Sequence, residues 1–132
     1  MLYSINVEGD HFQVLVADSV DGPLIDTTRL WDLSTGIASL PDAPQLIAIP
    51  TARYGGIIHV EVEILPATES PGRVPGWDEI GEFDLEVHSG ELLFWGPETD
   101  DLTVAPRITV EAGEYHGMAY SQCTHQVEDE LA

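Results

Sequence analysis

His59, Glu61 and Glu63 occupy alternate positions of one segment, and their side chains are of types that bind metals. Alternate residues of a β-strand share a face at about 6.6 Å per step. Zinc ligands must all reach one ion at about 2.0–2.2 Å, which three neighbours on a straight strand cannot do. We therefore expect a solvated strand face, with no metal site and no cofactor. The other histidines lack ligand-like spacing and are expected to lie scattered over the surface: His11, His88, His116 and His125.

A run of carboxylates without any cation extends from Asp78 to Glu91. Three of them, Glu82, Asp84 and Glu86, alternate with apolar residues and share one strand face at a repeat of about 6.6–7 Å. This repeat is close to the distance between successive phosphates of an extended nucleic acid, so a rigid row could occupy the cationic cleft of a nuclease. The alternative is an ordinary solvated face whose charges protect a sheet edge. The candidate partner-binding residues are Trp77, Asp78, Glu79, Glu82, Asp84 and Glu86.

Catalytic motifs are absent from the sequence. It contains no P-loop, GxSxG, HExxH or GxGxxG pattern. Carboxylate pairs are unavoidable among 24 acidic residues and therefore do not indicate acid–base catalysis. The single cysteine, Cys123, has no convincing histidine partner and cannot form an internal disulfide, which fits a reducing cytoplasm. We expect no catalytic residues and no enzymatic activity.

Apolar and polar residues alternate with a period of two along most of the chain, which predicts β-strands. The predicted strands are residues 2–7, 11–17, 45–50, 57–65, 81–87, 92–95, 107–110 and 114–122. Turn residues predict two hairpins, one joining 2–7 to 11–17 and one joining 81–87 to 92–95 through Ser89-Gly90. A short helix is plausible only at residues 31–38.

Eight or nine short strands with frequent turns predict an all-β protein, a single-domain antiparallel β-sandwich with long loops. We expect residues 1–132 to form this one domain, with a flexible acidic tail at about 126–132. Its sheets should be covered on one side only. In the predicted register Val62 and Leu85 point inward, whereas Glu61 and Asp84 point outward.

The charge balance excludes several classes of partner. The 132 residues include 24 acidic residues and four arginines but no lysine, giving a net charge of −20. Such a chain lacks the basic surface that binds nucleic acid or an anionic membrane. We expect a cytoplasmic protein, because no apolar run reaches about 18 residues and the N-terminus does not resemble a secretory signal. Evenly spread charge would give solubility alone. An acid-rich, lysine-free composition is also expected of proteins from a salt-adapted or GC-rich host.

Several short motifs resemble the small competence-J family of nuclease inhibitors. They are His11-Phe12-Gln13-Val14, Trp31-Asp32, Gly36-Ile37-Ala38 and Gly113-Glu114-Tyr115. Related uncharacterised actinobacterial all-β proteins share an acidic strand followed by a segment similar to Ser89-Gly90-Glu91-Leu92. The resemblance spans residues 11–122. It implies an all-β domain that inhibits a basic nuclease or toxin domain by direct binding, without catalytic residues.

The first hypothesis for function is therefore an acidic cytoplasmic inhibitor or immunity-type protein that blocks a basic nuclease or toxin domain. Electrostatic attraction would steer the partner, and exposed aromatic residues such as Trp77 and Trp95 would anchor it. One alternative is a non-enzymatic structural or assembly subunit of a larger particle. Another is a small-ligand-binding β-sandwich that stacks its ligand on Trp77 or Trp95.

Overall fold

The computed structural model describes residues 2–9, 13–26, 37–40, 42–51, 56–66, 75–97, 99 and 101–121. These residues form an all-β fold, as the alternation predicts. The strands are β1 (Leu2–Gly9), β2 (Gln13–Asp18), β3 (Ala38–Leu40), β4 (Ala43–Pro50), β5 (Gly56–Glu63), β6 (Asp78–Val87), β7 (Glu91–Trp95), β8 (Arg107–Thr109) and β9 (Gly113–Ser121). Two three-residue 3₁₀ helices, Gly22–Leu24 and Leu102–Val104, lie in the connections. In the described ranges no helix has the length and apolar character needed to cross a membrane.

The strands form three antiparallel sheets. The largest has five strands in the order β3-β4-β2-β7-β8, and the pairs β1-β5 and β6-β9 each form a two-stranded sheet. The hydrophobic side chains of both small sheets pack on one face of the large sheet, so the layers form a sandwich.

Neither predicted hairpin forms. β1 pairs with β5, whereas β2 pairs with β4 and β7 in the large sheet. β6 pairs with β9, so the chain changes sheet at the Ser89-Gly90 turn instead of folding back on itself. Gly90 has a left-handed φ of 80° there, and its carbonyl accepts the backbone N–H of Val110. The turn at Ser89-Gly90 was identified correctly, whereas Glu8 and Gly9 of the other predicted turn belong to β1. A turn does not determine which strand becomes the partner.

The core between the layers contains the inward side chains of the sandwich. Leu85 of β6 is 3% exposed and packs there, whereas Val62 of β5 is only half-buried against it. Glu61 and Asp84 are exposed on the opposite faces of these strands. The predicted register of both strands is therefore confirmed.

A second core covers the other face of the large sheet, which the sequence analysis did not expect. Every residue of β2 is buried. Leu15, Leu46 and Trp95 belong to this second cluster, and partly buried residues of the connections, including Leu102, pack against it. Trp95 is 5% exposed, so it is a core residue and neither an anchor for a partner nor a stacking platform.

Two predicted features fall wholly or mostly outside the described residues. Of the helix predicted at residues 31–38 only Ile37 and Ala38 are described, and Ala38 begins β3. The predicted acidic tail at 126–132 lies entirely outside them.

Candidate partner-binding face on the β6–β9 sheet

The outer face of β6 carries the predicted row of carboxylates. The side chains of Glu82, Asp84 and Glu86 are 66%, 87% and 34% exposed. Between them Phe83 and Leu85 point to the opposite side and pack into the sandwich core. Packing of this inner face fixes the backbone of β6, so the outer side chains project from backbone positions that repeat at about 6.6–7 Å.

A β-bulge brings a fourth carboxylate to the row. The pairing of β6 with β9 shifts between Glu79 and Gly81, so that Glu79 lies opposite Tyr120 and Glu82 lies opposite Met118. Directly opposed residues of an antiparallel pair point to the same face, and Tyr120 and Met118 are two residues apart on β9. The extra residue therefore places Glu79 on the face of Glu82, where strict alternation would not.

The other two predicted site residues lie apart from this row. Asp78 is exposed, but its position beside Glu79 gives it the opposite orientation along the strand. Trp77 lies in the bend before β6 and is half-buried. We use the term acidic row below for Glu79, Glu82, Asp84 and Glu86.

The acidic row is bordered by a histidine on the neighbouring strand. His116 of β9 lies directly opposite Asp84. Its Nδ1 is 2.7 Å from Oδ1 of Asp84, to which the ring N–H donates, and its Nε2 is 3.9 Å from Oε2 of Glu82. The hydrogen bond to Asp84, together with the negative charges of Asp84 and Glu82, raises the pKa of His116 above its usual value.

A second histidine occupies the end of the row. Nδ1 of His88 lies 2.7 Å from Oδ2 of Asp21, and its Nε2 lies 3.4 Å from Oε2 of Glu86. The hydrogen bond to Asp21 is the main cause that raises the pKa of His88, and Glu86 adds to it. His88 thus connects the row to a carboxylate that comes from the loop after β2.

A buried carboxylate, Asp18, fixes the backbone around His88. It is fully buried at the end of β2 and accepts five hydrogen bonds. The donors are the backbone N–H groups of Val20, Asp21, His88 and Ser89 and the hydroxyl of Ser89, at 2.7–3.1 Å. Burial alone would raise the pKa of Asp18, but these hydrogen bonds outweigh it and hold the pKa far below its usual value.

The surroundings of the row are otherwise anionic. Glu114 of β9 lies directly opposite Glu86 and is exposed. Arg107, the one arginine among the residues that the structure describes, lies 3.4 Å from Glu91 instead. A shallow depression at the end of the row is lined by Glu86, Val87, His88, Ala112, Gly113 and Glu114.

The two histidines and Asp21 were not predicted as site residues. His88 and His116 were expected to be scattered surface residues, because their separation along the chain gives no sign of contact with β6. The pairing of β6 with β9 would have revealed His116. No local sequence signal marks His88, whose ring position depends on the loop that Asp18 organises.

His59, which shares a strand face with Glu61 and Glu63, has different contacts. Nδ1 of His59 lies 3.0 Å from Oδ1 of Asn6 on β1, and its Nε2 lies 3.7 Å from Oε1 of Glu61. Across the described part of the chain, no group of three His, Cys, Asp or Glu side chains is placed to hold a metal ion.

Comparison with known proteins shows what this fold resembles. No family model matches the sequence, and no curated protein is significantly similar to it. The structure of ComJ from Bacillus subtilis, described as an inhibitor of the DNA degrading activity of NucA, aligns with 88% of this chain and 80% of its own chain. The TM-score is 0.54 and the sequence identity is 14%.

A second solved structure, crocagin biosynthetic gene J, gives the same TM-score of 0.54 at 20% identity. The alignment covers 88% of this chain and 73% of that chain. The chain therefore shares its fold with ComJ and with the crocagin protein, which confirms, at the level of the fold, the resemblance to the competence-J family inferred from the sequence.

Proposed function

We propose that this protein is a cytoplasmic, non-catalytic inhibitor or immunity-type protein that binds a basic nuclease or toxin domain directly through the acidic row. The partner would use lysine and arginine side chains that otherwise bind the phosphates of nucleic acid. These side chains would contact Glu79, Glu82, Asp84 and Glu86. The fold shared with an inhibitor of a nuclease supports the class of function. The position of the acidic row on an outer sheet face supports its assignment as the binding surface.

The carrying observation is a row of four carboxylates on the outer face of a strand whose other face packs into the core. Because the backbone of β6 is fixed before binding, the row loses only side-chain conformational entropy when a partner binds. Its carboxylates are spaced within a Debye length of about 8 Å at physiological salt, so their fields add. A net charge of −20 would then accelerate the approach of a cationic partner.

The test measures inhibition of DNA degradation by a panel of purified nucleases that includes NucA. The principal variant replaces the central row in the combination Glu82→Gln, Asp84→Asn and Glu86→Gln. We expect the wild type to inhibit at least one nuclease and the triple variant to lose about tenfold or more in affinity, with a weaker dependence on salt.

The matched control replaces Glu8, Glu61 and Glu63 by Gln. These residues are exposed on the outer face of the β1–β5 sheet, and the control removes the same charge. Acidic residues at the end of β2 and in the loop after it would be a poor control, because Asp18 is buried and Asp21 contacts His88. Equal loss of affinity in both triple variants, or no inhibition of any nuclease by the wild type, would contradict the proposal.

A further inference from the structure

We propose that His88 and His116 are proton-operated counter-ions of the acidic row, so that a cationic partner binds more weakly as the pH falls and the two rings become charged. This inference rests on the proposed function and specifies how the same surface is regulated. Partner side chains and protonated imidazoles would compete for the same carboxylate oxygens.

The position of His116 makes this competition direct. Its ring lies against Asp84, whose side chain is 87% exposed, and within 3.9 Å of Glu82. The other ionisable groups on its face of β9 are Glu114, two residues away, and Tyr120, four residues away. His116 is itself 59% exposed, so a partner that reaches Asp84 also reaches the ring.

His88 contacts Glu86, the last carboxylate of the row, in the same manner. Its two ring nitrogens face Asp21 and Glu86, and its side chain is 53% exposed. The backbone N–H of His88 donates to Asp18 at 2.8 Å, which keeps the ring beside these two carboxylates. Among the residues that the structure describes, the charged groups in contact with the two rings are all acidic, so each ring gains protons readily in the free protein.

The sign of the effect follows from linkage. In the free protein, hydrogen bonds to Asp84 and Asp21 raise the pKa of His116 and His88. A bound cationic partner removes these contacts and adds positive charge, which lowers both values. Binding therefore releases protons, and affinity increases as the pH rises through the pKa values of the free histidines.

The test uses a synthetic extended peptide with arginine at alternate positions, because alternate residues of an extended chain repeat at the pitch of the row. Its affinity is measured by calorimetry at about pH 5.5 and about pH 8.5, where histidine changes charge and carboxylates do not. We expect the wild type to bind about three- to thirtyfold more tightly at the higher pH, with proton release. The double variant His88→Gln, His116→Gln should bind nearly equally at both values.

His59→Gln is the matched control, because His59 is an exposed histidine beside a glutamate on the β1–β5 sheet. It should retain the pH dependence of the wild type. The same pH dependence in the double variant, no pH dependence in the wild type, or no binding of the peptide would overturn the inference. Circular dichroism verifies that each variant is folded.

Failure of the inference and failure of the proposed function are distinguishable. If the peptide binds without proton release while the triple variant of the row still loses nuclease inhibition, the histidine mechanism is wrong and the function stands. If proton-linked binding occurs but no nuclease is inhibited, the row binds cations under histidine control and the proposed function is wrong.

Discussion

The ring of Phe83 lies across Gly117, its direct partner on the neighbouring strand. A β-carbon placed on Gly117 would lie 2.7 Å from two ring carbons of Phe83, closer than such atoms approach in proteins. The aromatic side chain thus covers a residue that has no side chain of its own, an arrangement that helps to pin strand register. Because this pair adjoins Asp84 and His116, it holds in place the strands that carry the acidic row.

Gly117→Ala should reduce the free energy of unfolding by about 1–3 kcal/mol through overpacking against Phe83. The second substitution Phe83→Leu should relieve part of this cost, because leucine vacates the position of the ring. Urea denaturation of the two single variants and the double variant gives the coupling between the residues. If the two substitutions had additive effects on the free energy of unfolding, the contact between Gly117 and Phe83 would not limit the packing.

Leu85→Ala should reduce the free energy of unfolding by about 2–5 kcal/mol, because it leaves a cavity in the sandwich core. Asp84→Ala on the next position of β6 should change it by no more than about 0.5 kcal/mol, since the side chain is 87% exposed. Thermal and urea unfolding measure both effects. A reversed order would mean that the register of β6 is wrong by one residue.

Asp18→Asn should reduce the free energy of unfolding by about 3 kcal/mol or more. The NH₂ group of the new side chain would face backbone N–H groups whose hydrogen bonds the carboxylate now accepts. Folding lowers the pKa of Asp18. The carboxylate therefore contributes its full stabilisation at pH values above the ordinary pKa of aspartate, and this stabilisation decreases as the pH falls below that pKa. The difference between wild type and variant in urea unfolding should therefore be smaller at about pH 3 than at about pH 7. Ser89→Ala, which removes one donor, should cost only about 1 kcal/mol.

His116→Gln should affect stability in the opposite pH range. Folding raises the pKa of His116, so its stabilising contribution is complete below the pKa of the unfolded chain and decreases as the pH rises through the folded value. The variant should therefore lose more stability relative to wild type at about pH 5.5 than at about pH 8.5. A pH-independent difference would show that the ring does not interact with Asp84 in solution.

The sequence predicted strands well and strand partners badly. Alternation is local, so β5 and β6 were assigned with the correct inward residues, Val62 and Leu85. Pairing depends on the whole chain: β2 is the next strand along the sequence, yet β1 pairs with β5. The burial of every residue of β2 was also not predicted, because residues such as Ala17 and Asp18 are not typical of a strand that is covered on both faces.

The candidate site was predicted in the same partial way. Glu82, Asp84 and Glu86 could be placed on one face because their spacing is local. The position of Glu79 depends on a bulge that appears only in the register with β9. The contacts of His88 and His116 depend on loop geometry and on strand pairing, neither of which local periodicity encodes.

The order of strands also determines when this surface can form during folding. β2, in the middle of the large sheet, requires β7, and Asp18 receives hydrogen bonds from Ser89, 71 residues away. The hydroxyl of Tyr3 donates to the carbonyl of Thr109, across 106 residues. Such distant contacts require large loops to close before they gain energy, which typically slows folding to milliseconds or seconds. On the ribosome, β6 must wait for β9, so the carboxylates acquire their fixed positions only after residues 113–121 have emerged.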